Sequence, residues 1–332
     1  MAPLSEANKM FCLTRDSVDG SKIYEGFADP EWAVKLVTYG GFSLSAILDA
    51  ALQFQSEATH PDPIHLSSHF LRAVTPGVFQ VRIRPIRAGK QFANLTAELW
   101  QKERLKITCQ LVFTNFDVLS KSRGPTLPKA FSPLHPLPTH PSQTPISDRL
   151  WAPNFHKRYS WAKEPSTVER NSLIRKEGRT PEGMTWGAWV ELHEKPEVSM
   201  SASWIPFFVD MTETTWELLP KDVTGGVRWW PPSISIVIEF KCRLPLPSQY
   251  APHTLGVFTW KRHLKNGLWN DSSEIWSAPS ALGDADGEVD EQWKGEMVCV
   301  AVATQVASME PVDVQTRYKD QVDGFHVEQA KL

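Results

Sequence analysis

Three apolar segments in the second half of the chain each carry a polar side chain that could take part in hydrolysis. The segments read WIPFFVDM, SISIVIEF and VCVAVATQVA, and these side chains are those of Asp210, Ser233 and Gln305. A buried carboxylate, hydroxyl or amide is costly unless it has hydrogen-bond partners. If the three segments meet, these side chains can satisfy one another and hold a water molecule, with the carboxylate accepting a proton from it.

Each of the three side chains also has a purely structural explanation. Asp210 is followed by the polar run TET, which is typical of the residues after a helix N-cap. Gln305 could bond to a neighbouring strand, and Ser233, which follows two prolines, could cap a turn. The residue pattern by itself leaves both interpretations open.

The elements that would position these residues follow the same order in both halves of the chain. In the first half, a strand candidate at 21–28 precedes Tyr39-Gly40-Gly41 and the helical run FSLSAILDAALQFQ, and strand candidates follow at 64–73, 79–87, 91–101 and 104–116. In the second half, a strand candidate at 184–194 precedes a helix candidate, WIPFFVDMTETTWELLP, that ends at Pro220. Further strand candidates lie at 233–245, 253–263, 270–277 and 296–309.

A proline-dense stretch from Pro125 to Pro153 separates the two halves. Proline lacks the amide donor that strand ladders and helix interiors need, so we expect this stretch to be irregular. An antiparallel sheet must bury one face, and one long helix laid across it would do so. We therefore predict an N-terminal domain at 1–120, a Pro-rich linker at 121–160, a C-terminal domain at 161–318 and a mobile tail at 319–332. The two units could share one continuous sheet.

The motifs of both halves resemble the double-hotdog acyl-CoA thioesterase II (TesB-like) family, in particular its fungal thioesterase-like branch. The first half carries YGGFSLSAILDAAL, HLSSHFLRAVTPG, RAGKQFANLTAELWQ and LVFTNF, and the second carries FFVDM, PPSISIVIEFKCRLP and VATQVA. The resemblance implies an α+β fold with two hotdog units, each an antiparallel sheet wrapped around one long helix, joined by the Pro-rich linker.

The same resemblance implies roles for individual residues. The family's water-activating Asp and Gln fall on Asp210 and Gln305, and its Thr or Ser falls on Ser233, with Ser235 as the alternative. The resemblance also places each active site of this fold near a helix N-terminus, where amides can stabilise an oxyanion. It leaves open which of the two helices supplies these donors. The predicted substrate-binding residues are Gly40, Gly41, Phe42 and Arg87.

The predicted activity is hydrolysis of a fatty or polyketide-like acyl thioester to a free acid and CoA, by direct attack of water and without a metal or cofactor. The run GFSLS at 41–45 lacks the second glycine of a nucleophile elbow, so a covalent serine intermediate is not predicted. Two alternatives stay open. One is a hotdog-fold tailoring enzyme of a fungal secondary-metabolite pathway that acts on a carrier- or CoA-bound polyketide. The other is a non-catalytic acyl-binding protein.

Composition and the chain ends predict location and partners. A net charge of −3 with scattered basic residues argues against nucleic acid as a partner, and no stretch approaches about 18 apolar residues, so no membrane span is expected. The N-terminus lacks the apolar core of a secretory signal. Ala330, Lys331 and Leu332 fit the peroxisomal import tripeptide and predict an import receptor as partner, with a cytoplasmic location as the alternative. The family resemblance suggests a homo-oligomer.

Overall fold

One twelve-stranded antiparallel sheet runs through both halves of the chain. The computed structural model describes residues 2–13, 19–121, 124–125, 127, 135–147, 154–177, 184–213, 218–219, 221–227, 229–283 and 289–311. The predicted tail at 319–332, with its tripeptide Ala330, Lys331 and Leu332, lies outside the described residues. Peroxisomal import therefore stays a prediction. The predicted linker at 121–160 is described only in part.

Most strands show the burial pattern that an antiparallel sheet with one covered face requires, because inward-facing apolar side chains alternate with more accessible ones. The strands are β1 (Phe11–Cys12), β2 (Lys22–Ala28), β3 (Ala33–Val34), β4 (Val37–Thr38), β5 (Asp62–Phe70), β6 (Gly77–Ala88), β7 (Ala93–Gln101), β8 (Arg104–Thr114), β9 (Tyr159–Lys163), β10 (Met184–Leu192), β11 (Trp229–Trp230), β12 (Ser233–Phe240), β13 (Thr254–Lys265), β14 (Leu268–Ser277), β15 (Cys299–Ser308) and β16 (Glu310–Pro311). The α-helices that lie wholly within the described residues are α1 (Leu4–Ala7), α2 (Gly40–Gln55), α3 (Phe116–Leu119), α4 (Pro165–Glu177), α5 (Ile205–Asp210) and α6 (Lys221–Thr224).

The two halves repeat one strand order. The first half runs β2-β6-β7-β8-β5 and the second runs β10-β13-β14-β15-β12, with β1 and β9 at the outer edges. The halves join where β5 pairs antiparallel with β12, with Ser67 opposite Val237. The α+β class and the repeated element order are thus as the sequence predicts. The sheets of the two halves form one continuous sheet, an arrangement that the sequence left possible.

Helix α2 lies in the middle of the molecule, where the two halves meet. Eleven of its sixteen residues are buried, which leaves it no wide solvent-exposed face. A helix whose residues are buried on nearly all sides must pack against other elements on nearly all sides. The sheet of the first half, through β2, β6 and β7, supplies part of that cover, and α5 from the second half supplies another part.

The second central helix is shorter than the sequence predicts. A 3-10 turn at Ala202–Trp204 leads into α5, which ends at Asp210, and Met211 has left the helical region with ψ 74°. The amide of Thr212 bonds back to the carbonyl of Asp210, which closes a tight turn there. The following run is rich in β-branched threonine, which has a low helix propensity. Residues 214–217 and 220 of the predicted helix lie outside the described residues.

Part of the proline-rich linker packs against the second half. Leu137 is fully buried in a small apolar cluster with Trp189 and Phe258, separate from the main core. The His135 ring stacks on Trp189 with ring centroids 5.0 Å apart. Burial lowers the pKa of His135 to about 4, so its ring is neutral at physiological pH. No helix in the described part of the chain is long and apolar enough to cross a membrane.

An arginine just beyond β12 ties the second half to the first. Arg243 donates from Nε and Nη2 to the two carboxylate oxygens of Asp62, at 2.8 and 2.6 Å, and from Nη1 to Asp117 at 2.5 Å. Asp62, at the start of β5, is only 6% exposed. The two parallel bonds to Asp62 form the bidentate geometry in which arginine and carboxylate bind most strongly.

We expect Arg243→Ala to lower the free energy of unfolding by about 1–2 kcal/mol, because it leaves the buried Asp62 without its cation. The effect is smaller than for a fully buried pair, since the Arg243 side chain is 38% exposed. Urea denaturation measures it. Lys241→Ala is the matched control: its ion pair with Glu239 is exposed on both sides, and its loss should cost less than about 0.5 kcal/mol. Equal denaturation midpoints for wild type and Arg243→Ala would contradict the prediction.

Candidate active site

Asp210, Ser233 and Gln305 meet at one place between α5, β12 and β15. The Gln305 side-chain amide donates to Asp210 Oδ1 at 2.9 Å and to Ser233 Oγ at 2.7 Å. The backbone amide of Gly41 donates to the other Asp210 oxygen, Oδ2, at 2.8 Å. Three segments that are far apart in sequence therefore form one hydrogen-bonded group, and the first half adds a fourth member to it.

Strand register explains why Ser233 rather than Ser235 belongs to this group. Gln305 lies opposite Ile236 in the β12–β15 ladder, and the ladder shifts register between Ser233 and Ser235. This irregularity places Ser233 opposite Ala307, within reach of the Gln305 amide. Ser235 continues the ladder opposite Val306, and among the described residues no hydrogen bond joins its side chain to Asp210 or Gln305.

Asp210 is the last residue of α5, so the alternative explanation as a helix N-cap is wrong. Its carboxylate lies at the N-terminus of α2 instead, where Gly40 and Gly41 are the first two residues. The first amides of a helix have no acceptor within the helix, and the helix dipole favours a negative charge there. The helix start beside Asp210, Ser233 and Gln305 (the triad) is therefore that of α2.

Gly41 allows α2 and α5 to approach this closely. A Cβ atom at this position would lie 2.8 Å from the Pro206 carbonyl oxygen and 2.9 Å from both the Phe207 Cα and the Asp210 Cβ. Two of these three atoms are backbone and cannot move aside without shifting α5. At Gly40, the nearest atom to such a Cβ is Asp210 Oδ2, at 3.0 Å. Both glycines thus border directly on the carboxylate.

Burial raises the pKa of Asp210 to about 6, while the hydrogen bonds from Gly41 and Gln305 lower it and the negative charge of Asp271 adds to the rise. The carboxyl group is therefore ionised at neutral pH but close to its titration. A general base works best when its pKa lies near the pH at which it operates. Gln305 is only 6% exposed, whereas Asp210 and Ser233 keep more of their surface accessible.

The other predicted substrate-binding residues lie apart from this group. Phe42 is fully buried and stacks on Trp32 with ring centroids 5.4 Å apart, which gives its side chain a part in the core. Arg87 is exposed on β6 opposite Asn94, and among the described residues no hydrogen bond or ion pair connects it to the triad. Contact of either residue with a substrate stays a prediction.

The sequence interpretation missed two charged residues near the triad, Lys261 and Asp271. They form an ion pair of 2.6 Å on β13 and β14, and both side chains are 1% exposed. The signal that could have revealed them is spacing: Lys261 shares a strand face with the buried Val257, and Asp271 shares one with the buried Ile275. Among the described residues, no group of three or more His, Cys, Asp or Glu side chains is arranged to hold a metal ion.

Known proteins support both the fold and the family of the first half. Residues 28–114 match the family model of the acyl-CoA thioesterase N-terminal domain. The ustilagic acid biosynthesis cluster protein orf2 of Mycosarcoma maydis is 34% identical over 108 residues, which are 32% of this chain and 27% of that protein. The matched stretch thus spans about a quarter of that relative's length.

Two solved structures share the fold over nearly their whole length. The acyl-CoA thioesterase II TesB2 of Mycobacterium marinum has a TM-score of 0.64 at 12% identity, covering 93% of this chain and 98% of its own. A hot dog fold protein of unknown function from Alicyclobacillus acidocaldarius has a TM-score of 0.64 at 14% identity, covering 92% and 97%. Residues 28–114 are therefore similar to the acyl-CoA thioesterase N-terminal domain, and the chain as a whole has the double-hotdog fold.

Proposed function

We propose that this protein hydrolyses acyl thioesters, most plainly acyl-CoA, to a free acid and a thiol. One observation carries the proposal: the Gln305 amide bonds to both Asp210 and Ser233, and this group lies against the N-terminus of α2. Such a group provides a proton acceptor, a hydroxyl to orient water and nearby helix amides in one place. The family of residues 28–114 agrees with a thioester as substrate.

The proposed reaction needs no covalent intermediate. Asp210 accepts a proton from a water molecule that Ser233 and Gln305 orient, and the water oxygen attacks the thioester carbonyl carbon. Negative charge then develops on the carbonyl oxygen. Amides at the start of α2 stabilise it, apart from the Gly41 amide, which is bonded to Asp210. The C–S bond breaks, the leaving thiolate takes up the proton that Asp210 accepted, and the acyl group departs as a carboxylic acid.

We expect the rate of hydrolysis to rise with pH through a midpoint near 6, because only the ionised Asp210 can accept the proton. Below the midpoint, kcat/KM should fall about tenfold per pH unit, and above about pH 7 it should be flat. Thiol release from an acyl-CoA, measured between pH 5 and 8 at constant ionic strength and corrected for spontaneous hydrolysis, gives the profile. A rate that does not change between pH 5 and 7 would exclude Asp210 as the base.

The carrier of the acyl group separates two versions of the proposal. Similarity to a biosynthesis cluster protein favours a role in a biosynthetic pathway, and the second candidate function is therefore tailoring of a carrier-bound chain. A panel of CoA esters and matched pantetheine esters on a carrier protein, each assayed for free thiol and for acyl product, distinguishes the two. Release of thiol from CoA esters supports the first candidate. Turnover limited to the carrier-bound series, or an acyl product other than the free acid, supports the second. Tight binding with no turnover of either series would overturn both and leave an acyl-binding protein.

A further inference from the structure

A fully buried ion pair lies beside the proposed hydrolytic site and takes no part in the reaction described above. Lys261 Nζ and Asp271 Oδ2 are 2.6 Å apart. The Lys261 ammonium also lies 4.9 Å from the centre of the Trp269 ring. Removing two opposite charges from water is costly, and apolar side chains of similar size often serve stability equally well. The pair therefore calls for an explanation other than packing.

Strand register connects this pair to the triad. Lys261 lies opposite Asp271 in the β13–β14 ladder, and Asp271 lies opposite Gln305 in the β14–β15 ladder. Residues opposite one another in an antiparallel ladder point to the same face, so the three side chains form one polar row under α5. Gln305 ends this row with its bonds to Asp210 and Ser233.

A second contact connects the pair to the base along the chain. Lys261 Nζ lies 3.4 Å from Thr212 Oγ1, two residues after Asp210 and within the turn that ends α5. Asp271 has one oxygen on Lys261, and its other oxygen, Oδ1, is buried without a hydrogen-bond partner among the described residues. The negative charge of Asp271 also acts on the Asp210 carboxylate and contributes to its raised pKa.

We propose that the Lys261–Asp271 pair is a positioning element of the hydrolytic site. It holds the turn after Asp210 through Thr212, and it places the Asp271 carboxylate opposite Gln305, the residue that bonds to Asp210. The inference rests on the proposed function, which it deepens. Neither residue contacts the proposed water, so both act through Asp210 and Gln305.

Other titratable groups surround Asp210 and stay in place in the test. The Tyr39 hydroxyl has its pKa raised well above the ordinary value by burial, then by Asp210 and Tyr159, so it is neutral throughout the pH range used. On the far side of the turn, Glu213 is paired with Lys163. On β15, Gln305 bonds to Asp210, and on β12, Ser233 bonds to Gln305; both residues are uncharged.

The test compares Asp271→Asn with Ser273→Ala. Asparagine keeps the shape of Asp271 and an acceptor for Lys261 but removes the negative charge. Ser273 is the matched control, because it lies two residues further on β14, on the same buried face, and bonds to Thr259 on β13 at 3.0 Å. The pH profile of thiol release is measured for wild type and both variants.

We expect Asp271→Asn to move the midpoint of the profile about one pH unit to lower pH, since a like charge near Asp210 is removed. At pH 5 this corresponds to about a fivefold larger fraction of the plateau rate. KM should stay within about twofold, and Ser273→Ala should keep the wild-type midpoint. Lys261→Met, which releases Thr212, should lower kcat with little change in KM. An unchanged midpoint in Asp271→Asn, or an equal shift in Ser273→Ala, would overturn the inference.

A second readout does not depend on turnover. The unfolding temperature of the wild type minus that of Asp210→Asn, measured from pH 4 to 8, reports the ionisation of Asp210 directly. The difference in unfolding temperature between Asp271→Asn and the double variant Asp210→Asn/Asp271→Asn should change at lower pH than the difference for the wild type. If this shift appears in a protein that releases no thiol, the proposed function fails, while the effect of the Lys261–Asp271 pair on Asp210 stands. If thiol is released but the shift is absent in both readouts, the positioning role fails alone.

Discussion

Asp210→Asn should reduce thiol release from acyl-CoA by about 10²–10⁴-fold, the usual contribution of a general base. Asparagine has the shape of aspartate but cannot accept a proton at neutral pH. Its oxygen can still accept from the Gly41 amide, and a rotated Gln305 side-chain amide can offer its oxygen to the new nitrogen. The geometry of the site is thus largely kept, and the loss falls on kcat.

Asp49→Asn is the matched control for this substitution. Asp49 is also a largely buried carboxyl group whose pKa burial raises, and it accepts bonds from the Met10 amide and the Gln53 side chain. It lies two turns along α2 from Gly41. Wild-type turnover is expected in Asp49→Asn. Turnover above about a tenth of the wild-type rate in Asp210→Asn would remove Asp210 from the mechanism.

Asp210→Asn should also make the protein more stable at neutral pH. A carboxyl group whose pKa is raised by folding binds its proton more tightly in the folded state than in the unfolded state. The Asp210 carboxyl group therefore leaves the free energy of unfolding of the wild type unaffected well below pH 3.8. It lowers that free energy as pH rises from 3.8 to about 6, and the free energy stays reduced above that. The full difference corresponds to about 3 kcal/mol as an upper limit. Denaturant unfolding of wild type and Asp210→Asn at pH 4 and pH 7.5 measures it. The advantage of the variant should appear only at the higher pH.

Gly41→Ala should damage both stability and turnover. The new Cβ atom would lie 2.8 Å from the Pro206 carbonyl oxygen, so α5 must move away from α2. Overpacking of this kind costs about 1–3 kcal/mol. The shift also lengthens the bond from the Gly41 amide to Asp210, and misplacement of a catalytic group by about 1 Å can cost about 100-fold in rate.

Two other glycines calibrate this result. Apart from its chain neighbours, no described atom lies within 4 Å of a Cβ atom at Gly295, so Gly295→Ala should leave the unfolding midpoint and turnover unchanged. Gly40→Ala should be intermediate, because its nearest contact is the end of the Asp210 side chain, at 3.0 Å. An alanine at 41 with wild-type midpoint and rate would show that the close contact of α2 and α5 is not needed.

Local patterns in the sequence predict the strands because each one alternates, and alternation requires nothing from distant parts of the chain. The strand candidates at 79–87 and 91–101, for example, coincide with β6 and β7 to within two residues at each end. The end of α5 depends on tertiary contacts instead. Its last residue is held by Gly41 and Gln305, from α2 and β15, and no local pattern records them.

The candidate site divides along the same line. Asp210, Ser233 and Gln305 could be singled out because a polar residue in an apolar run stands out, and the family resemblance ranked them. Lys261 and Asp271 carry the same signal, but their segments WKRHLK and WNDSSE contain other polar residues that hide it. Register between neighbouring strands decides which of these polar residues face the core, and that register becomes visible only in the folded sheet.

The contact between Gly41 and Asp210 has a consequence for how this protein can be divided. The amide belongs to one repeat and the carboxylate to the other, so neither repeat alone contains the complete machinery. A version that is cut within the Pro-rich linker and produced as two polypeptides should release no thiol until the two polypeptides associate. Catalytic output would then report directly on reassembly of the seam between β5 and β12.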